Sequence, residues 1–300
     1  MRTYVVDANM LQSSELENRL HADATSTFIL PDVAILEMCK HENCQLTMKL
    51  AFKVFAQRSD RVVASLSTGE IFNKELKSFI AISKASILSD NFTDFTRRLI
   101  EDLAKDDEKL DASIQDQFSQ ARAKLVTRDL DAIAAKNATE EILKIIRKAL
   151  TPKIIKALRK PELDQTKFLA YVQVMAEFFF QHMLTKNFNI GKNFGRRFIA
   201  HRPMYLRYFY MLARHCLTTI KNGGDISNMK PENELNHQLD QDYILIASYF
   251  SGVISNDKRV NEGYRDLMTI IGTPSNQAFI IFNRWLEEIG ALQNGDRAFK

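Results

Sequence analysis

The sequence predicts an α/β fold: a parallel sheet flanked by helices and interrupted by a large all-α insertion. Three observations predict it. Short apolar runs alternate with helical patterns near both ends of the chain, the arrangement of βα units. Between them lies a long stretch of helical spacing with few breakers. Gly 10 and Pro 6 among 300 residues are low counts, favouring long helices over tight turns.

The elements follow in order. Tyr4-Val5-Val6 reads as a first strand that delivers Asp7 at its end. Phe28-Ile29-Leu30 reads as a second, buried strand. Pro31 and Asp32 then open a helix, since Pro is tolerated in a first turn and Asp caps well. Val33, Leu36 and Met38 give that helix a buried side, and Glu37 rides on it. From residue 45 to about 224 the pattern is helical: Leu46, Leu50, Val54; Phe92, Phe95, Leu99, Leu103; Ile142, Ile145, Ile146, Ala149; Phe168, Val172, Met175, Phe179; Tyr205, Phe209, Leu212. Breaks are expected near Gly69, Thr151-Pro152, Pro161, Gly191 to Gly195, Pro203 and Asn222-Gly223-Gly224. No fixed period recurs, which argues against a solenoid. Alternation then resumes. A helix is expected from about Leu239 to Ser251, with Asp240 and Asp242 in its first turn, where the helix dipole favours acids. A strand over Val253-Ile254-Ser255 leads to Asn256-Asp257. A helix over Val260 to Tyr264, a strand over Leu267 to Ile271 and a last helix over Asn276 to Gly290 complete the chain. The implied domains are residues 1–44 with 225–300, and a helical insertion over 45–224.

Hydrophobic content of 45% and charged content of 26% are globular values. No apolar run reaches the ~20 residues that span a bilayer, and the apolar start is interrupted by Asp7, unlike a signal peptide. Cysteines 39, 44 and 216 are an odd, sparse set. Cys39 and Cys44 with His41 lack the four ligands of a tetrahedral zinc site, so three reduced thiols and a cytoplasmic location are expected.

The net charge of +4 hides an asymmetry. Between Glu177 and Asp225 there is no acid, eight Lys/Arg and ten Phe/Tyr. Arg147, Lys148, Lys153, Lys156, Arg159 and Lys160 form a second basic cluster, while residues 90 to 116 are acid-rich. Such separation suits a phosphate-binding surface, with Lys192, Arg196, Arg197, Arg202 and Arg207 as its candidate contacts. A solvated helix face paired with the acidic segment is the alternative. The aromatic residues beside these cations serve the core of a helical lobe, or stack bases where exposed.

In open α/β sheets, sites form beyond the carboxyl ends of strands. Asp7 and Asp257 both follow strands and are expected to converge there, with Glu37 and Asp240 or Asp242 facing the same crevice from helices. Clustered carboxylates repel one another, and hard divalent cations relieve that repulsion. Mg²⁺ or Mn²⁺ so held would activate a water and stabilise charge on phosphate oxygens. No His, Cys or Lys nucleophile is required.

This ordered set resembles the PIN-domain nucleases. Their first-strand Asp, early-helix Glu, later-helix Asp and strand-end Asp in a Thr/Ser-Asn-Asp context are matched by Asp7, Glu37, Asp240 or Asp242, and Asp257 in Ser255-Asn256-Asp257. Asn9 and Ser255 match auxiliary polar positions. Asp240, 17 residues before Asp257, fits the family spacing better, with Asp242 an additional ligand. The resemblance covers about 120 residues at the two ends and departs from the family in its helical insertion of about 180. It implies a PIN-like sheet and Mg²⁺- or Mn²⁺-dependent cleavage of RNA, or of single-stranded DNA. Small bacterial relatives are often toxins or defence effectors. The helical region is a possible docking site for a protein partner or a second copy. The rival reading is an inert PIN-like scaffold that binds nucleic acid or protein. Separately, Arg196 and His201, five apart, resemble the Arg-x4-6-His motif of HEPN ribonucleases, which implies metal-independent cleavage with His as acid and base.

Overall fold

The computed structural model describes residues 2–39, 43–105, 116, 119 and 132–291. Strand β1 (Thr3–Val6) is followed by α1 (Ser14–Ala22), β2 (Thr27–Leu30), α2 (Asp32–Cys39), α3 (Cys44–Phe52), β3 (Val62–Ala64), α4 (Thr68–Ser78) and α5 (Asp90–Ala104). Helices α6 (Ala132–Ala149), α7 (Pro152–Leu158), α8 (Gln165–Phe188), α9 (Lys192–Ala200), α10 (Met204–Lys221) and α11 (Pro231–Ala247) come next. Then come β4 (Gly252–Ile254), α12 (Lys258–Gly272) and α13 (Ser275–Glu288). His41 and most of 106–131 lie outside the described residues, including much of the acid-rich segment. No described helix is long and apolar enough to cross a membrane.

The described residues fall into two compact units. One lies within Met1–Ser78, Ile82–Asp131 and Gln238–Tyr264; the other lies within Phe79–Ala81, Ala132–His237 and Arg265–Lys300. These limits differ from the expected breaks at 44/45 and 224/225. The reason is β3. Its Val62 and Ala64 are fully buried and pair with β2, which carries the sheet well beyond residue 44.

The first unit is α/β. Its four described strands are all parallel, in the order β3-β2-β1-β4. Val5, Val6, Phe28, Ile29 and Leu30 have no exposed surface, as strands covered on both faces require. Helices α1, α2, α3 and α5 contribute Leu16, Met38, Met48, Phe52 and Leu99 to the core on one side. Ser13 caps α1 through Leu16 N–H, and Ser89 caps α5 through Phe92 N–H. Buried Arg61 ties the β2 end of the sheet down by donating to Ser26 O and Leu20 O at 2.8 and 2.6 Å. The expected seam Leu46–Leu50 faces outward, at 55% and 52% exposure; Met48, Ala51 and Phe52 form the buried face instead.

Two expectations near the carboxyl end are corrected. Leu267 to Ile271 is not a strand but part of the continuous helix α12. Leu267 and Ile270 are buried at helical spacing from Val260, and Gly263 between them does not interrupt the helix; a short apolar run cannot by itself distinguish strand from helix. Helix α11 begins at Pro231, not near Leu239, so Asp240 and Asp242 sit in its interior rather than in its first turn.

The second unit is helical. Helix α8 packs against both α10 and α13. Tyr171 stacks on Phe282 at 5.2 Å and meets Trp285 at 5.4 Å. A polar knot crosses this core. Glu177 Oε1 accepts from Arg202 Nη1 at 2.9 Å, Tyr210 Oη at 2.9 Å and Ser275 Oγ at 3.0 Å. Arg202 also donates to Thr273 O at 2.8 Å, and Arg207 Nε donates to Arg202 O at 3.0 Å.

Candidate active site

Strand order sets the position of the site. The chain leaves β1 for β2 on one side and returns to β4 on the other, so direction reverses between β1 and β4. That switch point opens a crevice beyond the carboxyl ends of both strands. Asp7 ends β1, its N–H donating to Ile254 O at 3.0 Å. Asp257 lies just past β4 and accepts from Arg259 N–H at 2.6 Å as α12 starts.

The two carboxylates are joined by short links. Ser255 Oγ donates to Asp7 Oδ2 at 2.5 Å and accepts from Asp257 N–H at 3.0 Å. Asn9 Nδ2 donates to Asp7 Oδ2 at 2.8 Å, while its Oδ1 accepts from Asn256 N–H at 3.3 Å. Asn9 and Ser255 therefore orient Asp7. Glu37 enters from α2: Tyr243 Oη donates to Glu37 Oε2 at 2.6 Å and accepts from Ala8 N–H at 3.4 Å. Asp240, one turn before Tyr243 on α11, enters through Arg259, whose Nη2 lies 3.3 Å from both Asp240 Oδ2 and Asp257 Oδ2. One network thus brings Asp7, Glu37, Asp240 and Asp257 to the crevice.

Asp242 does not join them directly. Two residues along a helix is a rotation of about 200°, which turns it away from Asp240. Its Oδ1 accepts from Thr68 Oγ1 at 2.8 Å, at the start of α4, and its close charged neighbour is Asp32. A second acidic group, Asp242 with Asp32, therefore lies toward β2 and β3, with Glu37 acting on both groups.

Burial and mutual repulsion raise several of these carboxyls. Asp240 is pushed up to about 7, first by burial; Asp257, Asp7 and Glu37 add to this, against the opposing pull of Arg259. Asp7 is raised by burial and by Asp257, against the hydrogen bonds from Ser255 and Asn9. Asp242 is pushed up to about 7 and Asp32 to about 6, both chiefly by burial. Asp257 runs the other way: burial raises it, but hydrogen bonds from Arg259 outweigh this and hold it below the ordinary range. Burial and the Glu37 charge keep the Tyr243 hydroxyl protonated, as its donor role requires.

The donor chemistry fits a hard cation. Every candidate ligand is an oxygen, and Asp240 Oδ2 is buried without a hydrogen bond. Among the described residues, no group of three His, Cys, Asp or Glu side chains is arranged to hold a metal ion as it stands. The positive charge between Asp240 and Asp257 is the guanidinium of Arg259.

The candidate nucleic-acid contacts divide. In the second unit Lys192, Arg196 and Arg197 are exposed on α9, beside Phe194, also exposed at 48%. Arg207 is buried, and Arg202, whose side chain is only 11% exposed, is committed to the Glu177 knot, so they do not belong to a phosphate-facing surface. His201 follows α9 as an exposed C-cap. Arg147 of the other basic cluster pairs with Asp225. None of the three cysteines forms a disulfide, and burial pushes the Cys216 thiol up to about 12.

Sequence reasoning missed Tyr243, Arg259, Asp32 and Thr68 as parts of the acidic region. For Tyr243 and Arg259 a signal existed: each lies within three positions of a candidate acid, at a spacing that shares its helix face or cap. Comparison with protein-family models, curated proteins and solved structures finds no match to this chain.

Proposed function

We propose that this protein is a PIN-like, Mg²⁺- or Mn²⁺-dependent nuclease that hydrolyses phosphodiester bonds, preferentially in single-stranded RNA. The observation that carries this reading is the single network joining Asp7, Glu37, Asp240 and Asp257 at the switch point of a parallel sheet. Asp7, Glu37, Asp240 and Asp257 would hold the cation. When bound, it would lower the pKa of a water so that hydroxide is available to attack phosphorus, and would supply positive charge for the phosphate oxygens. The chain's own residues do the positioning. Ser255 and Asn9 fix Asp7, and Tyr243 fixes Glu37.

The basic, partly aromatic face of α9 supports a nucleic-acid substrate, through Lys192, Arg196 and Arg197. A toxin or defence role belongs to the same reading.

Labelled single-stranded RNA incubated with the protein, with and without EDTA, tests it. Cleavage is expected with Mg²⁺ or Mn²⁺ and should vanish in EDTA and in Asp7→Asn. Cleavage that persists in EDTA would instead favour a metal-independent site such as Arg196 with His201. No cleavage under any condition, with RNA binding intact, would favour an inert binding scaffold.

A further inference from the structure

We propose that Arg259 is the resident cation of the acidic crevice, and that a divalent ion binds only by displacing its guanidinium from between Asp240 and Asp257. The inference rests on the metal-dependent reading above and adds a gate to it.

Arg259 Nη2 stands 3.3 Å from Asp240 Oδ2 and 3.3 Å from Asp257 Oδ2. Asp240 Oδ2 is buried and accepts no hydrogen bond, so this ion pair is its compensation. A buried carboxylate left without one would be costly. Neighbouring Lys258 does not compete for the role, because it reaches Glu262 at 3.7 Å and is 85% exposed.

The contact is built to be given up. The Arg259 side chain is 56% exposed and stands on the first turn of α12, so it can swing into solvent without unpacking the core. Only the Arg259 side of the pair is exposed, and solvent screening there weakens its hold. Asp257 does not lose its orientation when the guanidinium leaves, because Arg259 N–H still donates to its other oxygen at 2.6 Å. The side chain and the backbone of one residue therefore do separate jobs. The backbone sets the carboxylate and the side chain neutralises it until a stronger cation arrives.

The test is Mn²⁺ binding to the 300-residue chain, followed by calorimetry and by the electron paramagnetic resonance signal of free Mn²⁺. Arg259→Gln should bind Mn²⁺ about two- to tenfold more tightly than wild type, because the competing state is removed. Arg259→Lys should fall between them. In EDTA, Arg259→Gln should melt lower than wild type and regain the difference with Mn²⁺. Asp240→Asn is the control arm and should weaken binding in either background. Equal affinity in wild type and Arg259→Gln, with Asp240→Asn still weakened, overturns the gate and leaves the metal site standing. Weaker binding in Arg259→Gln also overturns it, making Arg259 a support for Asp257. Absence of Mn²⁺ binding from every variant overturns the metal-dependent reading, and the gate with it.

Discussion

Tyr243 illustrates how one hydroxyl organises several carboxylates. It donates to Glu37 and accepts from the first amide after Asp7, so it couples the α2 acid to the end of β1. Tyr243→Phe keeps the buried ring and removes only these links. It should lower stability by about 1–3 kcal/mol, read by urea titration, and weaken Mn²⁺ binding severalfold. Unchanged Mn²⁺ affinity alongside the stability loss would confine the Tyr243 hydroxyl to a structural hydrogen-bonding role. At this scale the sequence was informative where chemistry depends on residue type and on strand ends. Asp7 and Asp257 were legible because each terminates a short apolar run. Arg202 and Arg207 were not legible. Their residue type and acid-free surroundings are those of Arg196 and Arg197, and the partner Glu177, 25 residues before Arg202, draws that arginine inward.

Helix α11 carries two acids with two environments, because its pitch turns Asp240 and Asp242 to different sides. The carboxyls of Asp240 and Asp242 are held near 7 and that of Asp32 near 6, against an ordinary value of 3.8. Between those limits the folded chain keeps protons that the unfolded chain has lost. Stability therefore falls as pH rises through that window. Metal-free protein should melt at a higher temperature at pH 5 than at pH 8. Asp242→Asn should flatten the decline, since Thr68 can still donate to the amide oxygen while the burdened charge is gone. A variant curve parallel to wild type would show that Asp242 does not contribute to it. Elements were legible in proportion to their length and punctuation. The breaks expected near Thr151-Pro152 and Pro203 fall where α7 and α10 begin. Strand β3, three residues long, was lost inside a helical pattern because Val62-Val63-Ala64 has no period of its own. Residues 267–271 erred the other way, because a β-rich apolar pentad continues a helix whenever nothing stops it.

At the scale of the whole molecule, the acids belong to one unit and the exposed cations of α9 to the other. Replacing Lys192, Arg196 and Arg197 together with Ala should weaken RNA binding similarly across sequences. The dependence of log affinity on log salt should become shallower by about two units, as expected for three lost single-strand phosphate contacts. Arg202→Ala should behave differently. It breaks a buried pair and should cost about 3–5 kcal/mol of stability, seen as a lower denaturation midpoint, with the salt slope unchanged. A salt slope unmoved by the triple replacement would make α9 a solvated or partner-facing surface. The division of the sheet between distant parts of the chain has a further consequence, in the timing of synthesis. Ser255 and Asp7, which hydrogen-bond in the crevice, are 248 residues apart. A ribosome adding about 5–20 residues per second needs roughly 10–50 s to make that stretch. Throughout that interval β1 has an open edge, prone to pairing with other chains, and Asp7 lacks the serine that orients it. A nascent chain therefore carries an incomplete acidic site, and the cell that makes this protein meets a finished crevice only once β4 has closed the sheet.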